Sequence, residues 1–515
     1  MSEGSNWFSD RTWSLSGNKE EEFAEKAGKN DDDPAAATSA IVVFPKSTLE
    51  VSQLLSDVAH RDRAIAVVCG GHSSSNVATW PAFLAGGGSA GSGTEEDERQ
   101  KTLILDMKNM SSITVNDETG EVTVGGGVLF RELAEACAKA KCALPIGTGP
   151  TVGVTGYVLN GGISGYFGRR LGMLGQRVTR LEVVLANGDV RTLSSPSSSA
   201  GSIGGEGGDE DLFRACLGAG SAMGVVTSLT IRMEDESSFR SGGSLVVACS
   251  AKSTAKAFLK KALSFMKDSV MLPSPPSTSM EIVTTSDFTV ICTLMFYDSF
   301  DGDPEAFVAP LRQAATECGA PIVADAVTSH KSWFDAASSL WGVIDGMKGN
   351  PLVRMDHSIG TEGIPGDEVL DFLLDRWLGS FLEKAPLTIV EIRTLGGAAS
   401  EGANGDPPLP TGNVKCSFFA DMIVSYDSST VAAGDKSSIL AEVHGVIADA
   451  KEMRGRGLMV DFSGTHGQSD DPTALLPDGD EVFGGRENRD LVRAIKKKHD
   501  PSNRFRYHPF AHYMD

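Results

Sequence analysis

Thr151-Val-Gly-Val-Thr-Gly-Tyr-Val-Leu-Asn-Gly-Gly-Ile-Ser-Gly-Tyr-Phe-Gly168 decides how the first half of this chain is read. Its glycines at 153, 156, 161, 162, 165 and 168 are too dense for an ordinary helix, in which each costs about 1 kcal/mol relative to alanine. Bare backbone lets main-chain N–H groups approach a pyrophosphate or a flat ring that a side chain would hold off. Two readings follow from the residues alone: a cradle for a bound group, or glycines that serve only tight turns and close helix packing.

Upstream, Ala40 to Phe44 predicts a short buried strand, and Pro45-Lys46-Ser47-Thr48 starts an amphipathic helix running to about His60. A strand from Ala64 to Cys69 ends in Gly70-Gly71-His72-Ser73. Strands follow at Leu103 to Met107, Ile113 to Asn116 and Glu121 to Val124, then Gly125-Gly126-Gly127 and a helix with Leu129, Leu133, Ala134 and Cys137 on one face. Downstream, Arg180 to Ser194 predicts a hairpin around Asn187-Gly188, Asp211 to Leu217 a helix, and Gly224 to Met233 a buried strand. The acidic lead-in Lys19 to Asp33 comes before all of this. Leu84 to Gln100 and Ser194 to Glu210 are rich in Gly, Ser and charge and are expected to be mobile surface insertions.

This nucleotide-binding pattern is not a Rossmann one. Gly125-Gly126-Gly127 follows a strand, but the G-x-G-x-x-G spacing and the acidic residue about 20 positions on are missing, and no G-K-S/T completes a P-loop. From about residue 240 the pattern changes. Helices at Thr254 to Asp268, Pro304 to Cys318 and Ser437 to Arg454 alternate with strands at Asp287 to Tyr297, Leu387 to Leu395 and Ser417 to Tyr426. That alternation predicts an α+β unit whose antiparallel sheet is covered on one face by helices. A last helix, Arg486 to His499, stops at Asp500-Pro501, and Phe505 to Phe510 is expected to return to the first unit. The resulting division is a lead-in at 1–35, a first domain at 36–238, a second at 239–460 and a returning segment at 461–515.

Composition narrows the partners. At 515 residues with 41% hydrophobic residues, the chain can bury more than one core. A formal charge of −22, from 68 acidic and 46 basic residues, would repel a phosphate backbone, so nucleic acid is not expected as a partner. No run approaches the about twenty apolar residues of a membrane span, and Met1 to Leu15 is polar where a secretory signal would be basic and then apolar. A soluble, unexported, cytoplasmic protein is the expectation. The eight cysteines lack paired short spacings and read as reduced core thiols, with no metal site. Asn109-Met110-Ser111 is the single glycosylation sequon.

His72 is the sharpest single residue, because a Gly-Gly turn at the end of a buried strand can hold an imidazole rigidly against a ligand. Cys69-Gly-Gly-His-Ser73, the glycines at 125–127, Gly147-Thr-Gly-Pro-Thr-Val-Gly-Val-Thr-Gly156, Asn160-Gly-Gly-Ile-Ser-Gly165, Leu181-Glu-Val-Val-Leu-Ala-Asn-Gly188 and Asp211-Leu-Phe-Arg-Ala-Cys-Leu-Gly-Ala-Gly220 with Gly224-Val-Val-Thr227 run in order. This series resembles the two-part FAD-binding domain of the vanillyl-alcohol oxidase and p-cresol methylhydroxylase superfamily, within its berberine-bridge-enzyme-like branch. Leu395-Gly-Gly-Ala398 and His499-Asp-Pro-Ser-Asn-Arg-Phe505 look like that branch's later motifs, and about two thirds of the chain is covered.

The resemblance implies FAD, linked covalently through His72 only, since Gly149 stands where many relatives carry a second linking cysteine. It implies contacts to the flavin and pyrophosphate from Gly70, Gly71, Ser73, Ser74, Thr148, Gly149, Gly153, Thr155, Gly156, Asn160, Gly162, Ser164 and Gly165, with Gly220, Val226 and Tyr507 completing the set. Three departures are visible. Val68 replaces a common Arg, Asn76 a small residue, and Met459-Val-Asp-Phe462 the motif that places a tyrosine beside the flavin.

Phenylalanine can pack but cannot exchange a proton, so if relatives use that tyrosine as an acid or base, another group is needed here. Asp421, which interrupts the apolar strand Phe418 to Tyr426, is the first candidate, and Glu391 in Ile389-Val-Glu-Ile-Arg393 the second. Each could instead be an outward strand carboxylate or the partner of an arginine such as Arg393. The expected reaction is oxidation of an alcohol or sugar C–H, or of an amine, by FAD, with O2 reduced to H2O2. Val152, a small residue of the type that oxygen-reactive relatives carry beside the flavin, favours an oxidase. A dehydrogenase with another acceptor and a flavin-binding protein without catalysis are the alternatives. Relatives are often secreted, which runs against the cytoplasmic expectation.

Overall fold

The computed structural model describes residues 41–72, 102–195, 208–271, 277–346, 352–361, 363–401, 416–427, 430–458, 460–461, 483 and 485–506. Two of the expected segments, the lead-in and Leu84 to Gln100, lie outside these residues, as does most of Ser194 to Glu210.

The first unit is built from two sheets. Strands β1 (Ile41–Val43), β2 (Ala64–Val68) and β3 (Thr102–Asp106) form a parallel sheet in the order β1-β3-β2. The connecting helix, Thr48–Ser56, is N-capped by the Ser47 hydroxyl, which accepts from the Glu50 N–H, and it buries Val51 and Leu55. Strands β4 (Ile113–Asn116), β5 (Glu121–Gly125), β7 (Val178–Val184), β8 (Val190–Ser194) and β9 (Val225–Arg232) form an antiparallel sheet in the order β4-β5-β9-β7-β8. Short strands β6 (Cys142–Ala143) and β10 (Glu234–Asp235) pair beside it. The β7–β8 hairpin turns at Asn187-Gly188, where Gly188 has φ +89°.

The glycines at 125–127 bring the two sheets together. A Cβ at Gly127 would lie 1.9 Å from the Met107 carbonyl oxygen, and one at Gly126 would lie 2.6 Å from that of Val226. Behind them the helix Phe130–Lys139 buries Phe130, Leu133, Ala134 and Cys137, the apolar face anticipated from its spacing, and its N-cap residue Leu129 is buried as well.

The second unit centres on eight antiparallel strands: β11 (Phe239–Ala248), β12 (Thr278–Thr285), β13 (Thr289–Tyr297), β14 (Ile322–His330), β15 (Leu352–Thr361), β16 (Ile389–Thr394), β17 (Phe418–Asp427) and β18 (Val460–Asp461). Their order is β14-β11-β13-β12-β16-β17-β15-β18. The strongly alternating β13, β16 and β17 are legible in the sequence. β11, interrupted by Gly242-Gly243, and the Ser/Thr-rich β12 carry weaker strand signals. The predicted helix Pro304 to Cys318 is two helices, Pro304–Phe307 and Ala309–Glu317. Pro310 has no N–H to give and would crowd the carbonyl four residues back, so the helix restarts there. The helix Lys252–Phe265 passes into a wider turn at Met266–Met271.

One face of the large sheet is apolar. Leu245, Ile282, Leu294, Val390, Ile392, Ala420 and Met422 pack there under Phe258, Leu311, Trp377, Phe381 and Val443 of the covering helices. Because side chains alternate along a strand, the residues between them project to the other face: Ser244, Thr293, Glu281, Glu391, Arg393, Asp421 and Ser358. This polar row is turned toward the first unit.

The two units share a core. Trp333 and Trp341 from beyond β14, with Tyr297 from β13, are buried among first-unit residues, and the Trp333 indole donates to the Leu144 carbonyl at 3.0 Å. The C-terminal helix Arg486–His499 also packs there through Val492 and Ile495. Beyond it, Arg504 donates to the carbonyls of Leu55 (2.9 Å), His60 (2.9 Å), Arg63 (3.2 Å) and Ala186, while its own carbonyl accepts from Ile65 of β2. Buried Lys496 pairs with Asp500 at 2.6 Å and donates to the Ala222 carbonyl at 2.8 Å. The returning chain thus grips β2, the strand that leads to His72.

Candidate active site

Two backbones meet at the end of β2. A Cβ on Gly70 would lie 2.2 Å from the Gly153 nitrogen and 2.5 Å from the Thr151 oxygen, and one on Gly153 would lie 2.4 Å from the Cys69 sulfur. Only glycine permits this approach, which sets His72 over the start of the glycine-rich segment. Its Nε2 lies 2.7 Å from the Thr151 hydroxyl. Thr151 is 3% exposed, and sequence reasoning did not single it out.

The segment then forms a short helix, Val154–Leu159, whose C-cap is Asn160. Gly161 and Gly162 take φ +93° and +76°, consecutive left-handed positions that a side chain would strain. They turn the chain so that Gly165 meets the large sheet: a Cβ there would lie 2.6 Å from both Arg393 Cδ and Glu281 Oε2. Along this stretch Thr155 Oγ1 and Asn160 Oδ1 are buried with no hydrogen-bond partner among the described residues. Buried polar atoms in native folds are nearly always paired, so these two point to a group that binds here. Gly156, beside them, has open space around it.

Other expected cofactor contacts have local structural roles. Ser164 donates to the Ile146 carbonyl at 2.8 Å and accepts from the Phe167 N–H, which fixes the loop. Thr148 and Gly149 are half-buried at its entrance. Gly220 begins a turn, Gly220–Ala222, that packs on the helix Val154–Leu159, and Val226 is buried in β9 opposite Val183. Gly71 takes φ +67° just before His72. Ser73, Ser74, Asn76, Met459, Phe462 and Tyr507 lie outside the described residues.

The carboxylates converge on one guanidinium. Glu391 and Asp421 sit opposite each other on β16 and β17, and Glu281 of β12 is opposite Arg393. Arg393 Nε donates to Glu281 Oε2 at 2.5 Å, Nη2 to Glu391 and Nη1 to Asp421. Ser358, opposite Asp421 on β15, donates its hydroxyl to Asp421 Oδ1. Side-chain exposure is 8% for Glu281 against 16% for Glu391 and 17% for Asp421, so the latter two remain within reach of a small molecule. Burial alone would lower the Arg393 guanidinium, but Glu391, Glu281 and Asp421 outweigh it and hold it well above its ordinary value. The Phe419 ring lies 5.3 Å from this guanidinium. Burial also pushes the Tyr157 phenol up, with Arg393 acting in the opposite sense.

Asp421 and Glu391 are thus brought together, and neither is a lone desolvated acid: each is an arginine partner, the arrangement left open by the sequence. Glu281 and Ser358 were not anticipated. The available signal was their place between apolar neighbours in alternating strands, the same pattern that exposed Asp421.

Among the described residues no group of three or more His, Cys, Asp or Glu is disposed to hold a metal, and no helix is long and apolar enough to cross a membrane. None of the eight cysteines forms a disulfide.

The FAD binding domain family matches residues 75–194. An FAD-linked oxidoreductase of Aspergillus terreus is 34% identical over 160 residues, 31% of this chain and 30% of that protein. The chain therefore matches less than a third of that relative's length. Among solved structures, the glucooligosaccharide oxidase of Acremonium strictum superposes with a TM-score of 0.69 at 17% identity, over 92% of this chain and 94% of that one. A single-residue variant of berberine bridge enzyme also gives 0.69 at 17% identity, over 97% and 95%. The chain thus carries an FAD-binding domain, its homologues are FAD-linked oxidoreductases, and its fold is that of the glucooligosaccharide oxidase and berberine bridge enzyme structures.

Proposed function

We propose that this protein is an FAD-dependent oxidase of a small molecule, carrying its flavin on His72 through a single covalent link. The observation that carries this reading is the path of the glycine segment. It starts against Gly70 and His72 and ends with Gly165 in contact with Arg393 and Glu281, so a ring laid along it has His72 at one end and the carboxylates at the other. The unpartnered Thr155 and Asn160 oxygens lie between.

FAD bound there would supply the two-electron acceptor for a substrate C–H bond and pass the electrons to O2, giving H2O2. The chain's own part is to orient the substrate and take its proton. Asp421 is the group we assign to that step. Ser358 and Arg393 fix its two oxygens, and a carboxylate oxygen has a second lone-pair site for a substrate hydroxyl or ammonium. Glu391, on the same guanidinium, is the alternative acceptor. Phe419 and the Arg393 cluster form the polar sheet face on which an alcohol, sugar or amine would rest.

Acid precipitation of the protein, with a visible spectrum of the pellet for wild type and His72→Ala, tests the attachment. Yellow colour that stays with wild type and leaves the variant is the expected result; colour released from both refutes the covalent link. Turnover under air, compared with turnover under nitrogen with a dye acceptor, separates an oxidase from a dehydrogenase. A flavin that photoreduces normally but is untouched by a broad panel of alcohols, sugars and amines would mark a non-catalytic flavoprotein.

A further inference from the structure

Arg169 is 2% exposed, yet none of its hydrogen bonds goes to a carboxylate. Nη1 donates to the Leu395 carbonyl at 2.6 Å and contacts the Met271 sulfur at 3.0 Å, Nη2 donates to the Val270 carbonyl at 3.0 Å, and Nε to that of Thr278 at 3.2 Å. Burial lowers this guanidinium, with the Tyr297 phenol acting in the opposite sense. Burying a cation without a counter-charge is costly, and four well-directed acceptors are the means of offsetting it.

Those acceptors belong to three separate pieces of the second unit: the turn Met266–Met271, the first residue of β12, and the residue just after β16. The same two strands carry the carboxylate cluster, since Glu281 lies three residues after Thr278 and Arg393 two before Leu395. Arg169 itself lies four residues beyond Gly165, the point of contact with that cluster. Nearby, the Tyr166 carbonyl accepts from Ser279 at 2.6 Å and from Tyr297, which adds a weaker tie to the same strands. Arg170, by contrast, makes an outer bidentate pair with Asp298 at 3.0 Å.

We infer that Arg169 is a positioning residue that rivets the glycine segment to β12 and β16 and so sets the distance between the bound flavin and the Glu281–Arg393–Glu391–Asp421 cluster. The inference rests on the flavin reading above. Functional groups held by a buried supporting shell keep their geometry, and a shift of about 1 Å is enough to impair them.

Sulfite tests this without a substrate, because it is an anion that adds reversibly to oxidised flavin and bleaches its absorbance. Carboxylates held close should oppose it. In purified flavin-loaded protein, Arg169→Met should bind sulfite roughly tenfold more tightly than wild type, because the cluster is free to retreat. Arg169→Lys, which keeps the charge but cannot fork to three carbonyls, should lie between them, and Arg170→Ala should match wild type. Asp421→Asn calibrates the assay by removing one of the repelling charges in place. A purely structural role would lower the unfolding temperature of Arg169→Met and leave its sulfite affinity unchanged, and that result overturns the inference. If Arg169→Met does not fold, an Arg169→Lys affinity equal to wild type overturns it as well. Wild-type protein that holds no flavin would refute the flavin reading first and this inference with it.

Discussion

His357 offers a quantitative test of the second unit's core. It lies on β15 opposite Met422, on the apolar face of the sheet, 4% exposed and with Nδ1 unpartnered among the described residues. Burial, then Lys451 and Arg454 of the covering helix Ala433–Gly455, lowers its pKa from 6.5 to about 3. The imidazole is therefore neutral in the fold, while the unfolded chain takes up a proton near 6.5. Stability from this group is fully present above pH 6.5 and is lost as pH falls toward about 3. At about 1.4 kcal/mol per pH unit the whole span is worth about 5 kcal/mol, of which about 2 kcal/mol is lost between roughly pH 7.5 and pH 5. Urea unfolding of wild type and His357→Leu at those two pH values measures it. The variant should lose about 2 kcal/mol less than wild type on acidification. Equal losses would refute the reasoning.

Three further outcomes are expected. Gly70→Ala would drive a Cβ to 2.2 Å from the Gly153 nitrogen, a clash of backbone on backbone, and should cost about 3 kcal/mol or more together with the flavin attachment, as read by unfolding and pellet colour. Lys496→Met would strip Asp500, 1% exposed, of its paired cation under the segment that grips β2, leaving it the Arg504 and Phe505 N–H groups; a loss of about 3 kcal/mol in chemical unfolding is expected, against little change if the pair is not buried in solution. With any substrate found by peroxide release, Asp421→Asn should lower kcat by about 100-fold or more with flavin content intact, and Glu391→Gln should lower it less. The reverse order would move the proton-accepting role to Glu391.

Much of the first unit is legible in the sequence because its signals are local. A Gly-Gly-His after a buried strand, an Asn-Gly between alternating segments and a run of glycines each constrain only their own few residues. His72 and the segment 151–168 could therefore be singled out before any contact was known. The same locality explains why the glycines looked ambiguous: Gly153 and Gly165 are needed for close approach to Cys69 and Arg393, whereas the space around Gly156 is open.

What only the tertiary structure decided is which distant residues share a surface. Strand alternation shows that Asp421 and Glu391 break an apolar pattern, but not that registers on β12, β15, β16 and β17 gather Glu281, Ser358 and both acids around Arg393. Neither could periodicity reveal that Arg169 reaches across to Leu395, 226 positions away, or that Trp333 completes the core of the first unit. Pattern along the chain reports which face of an element is buried. Which element lies against that face is set by long-range packing, and the charges that meet there acquire their partners only when the sheet closes on the glycine segment.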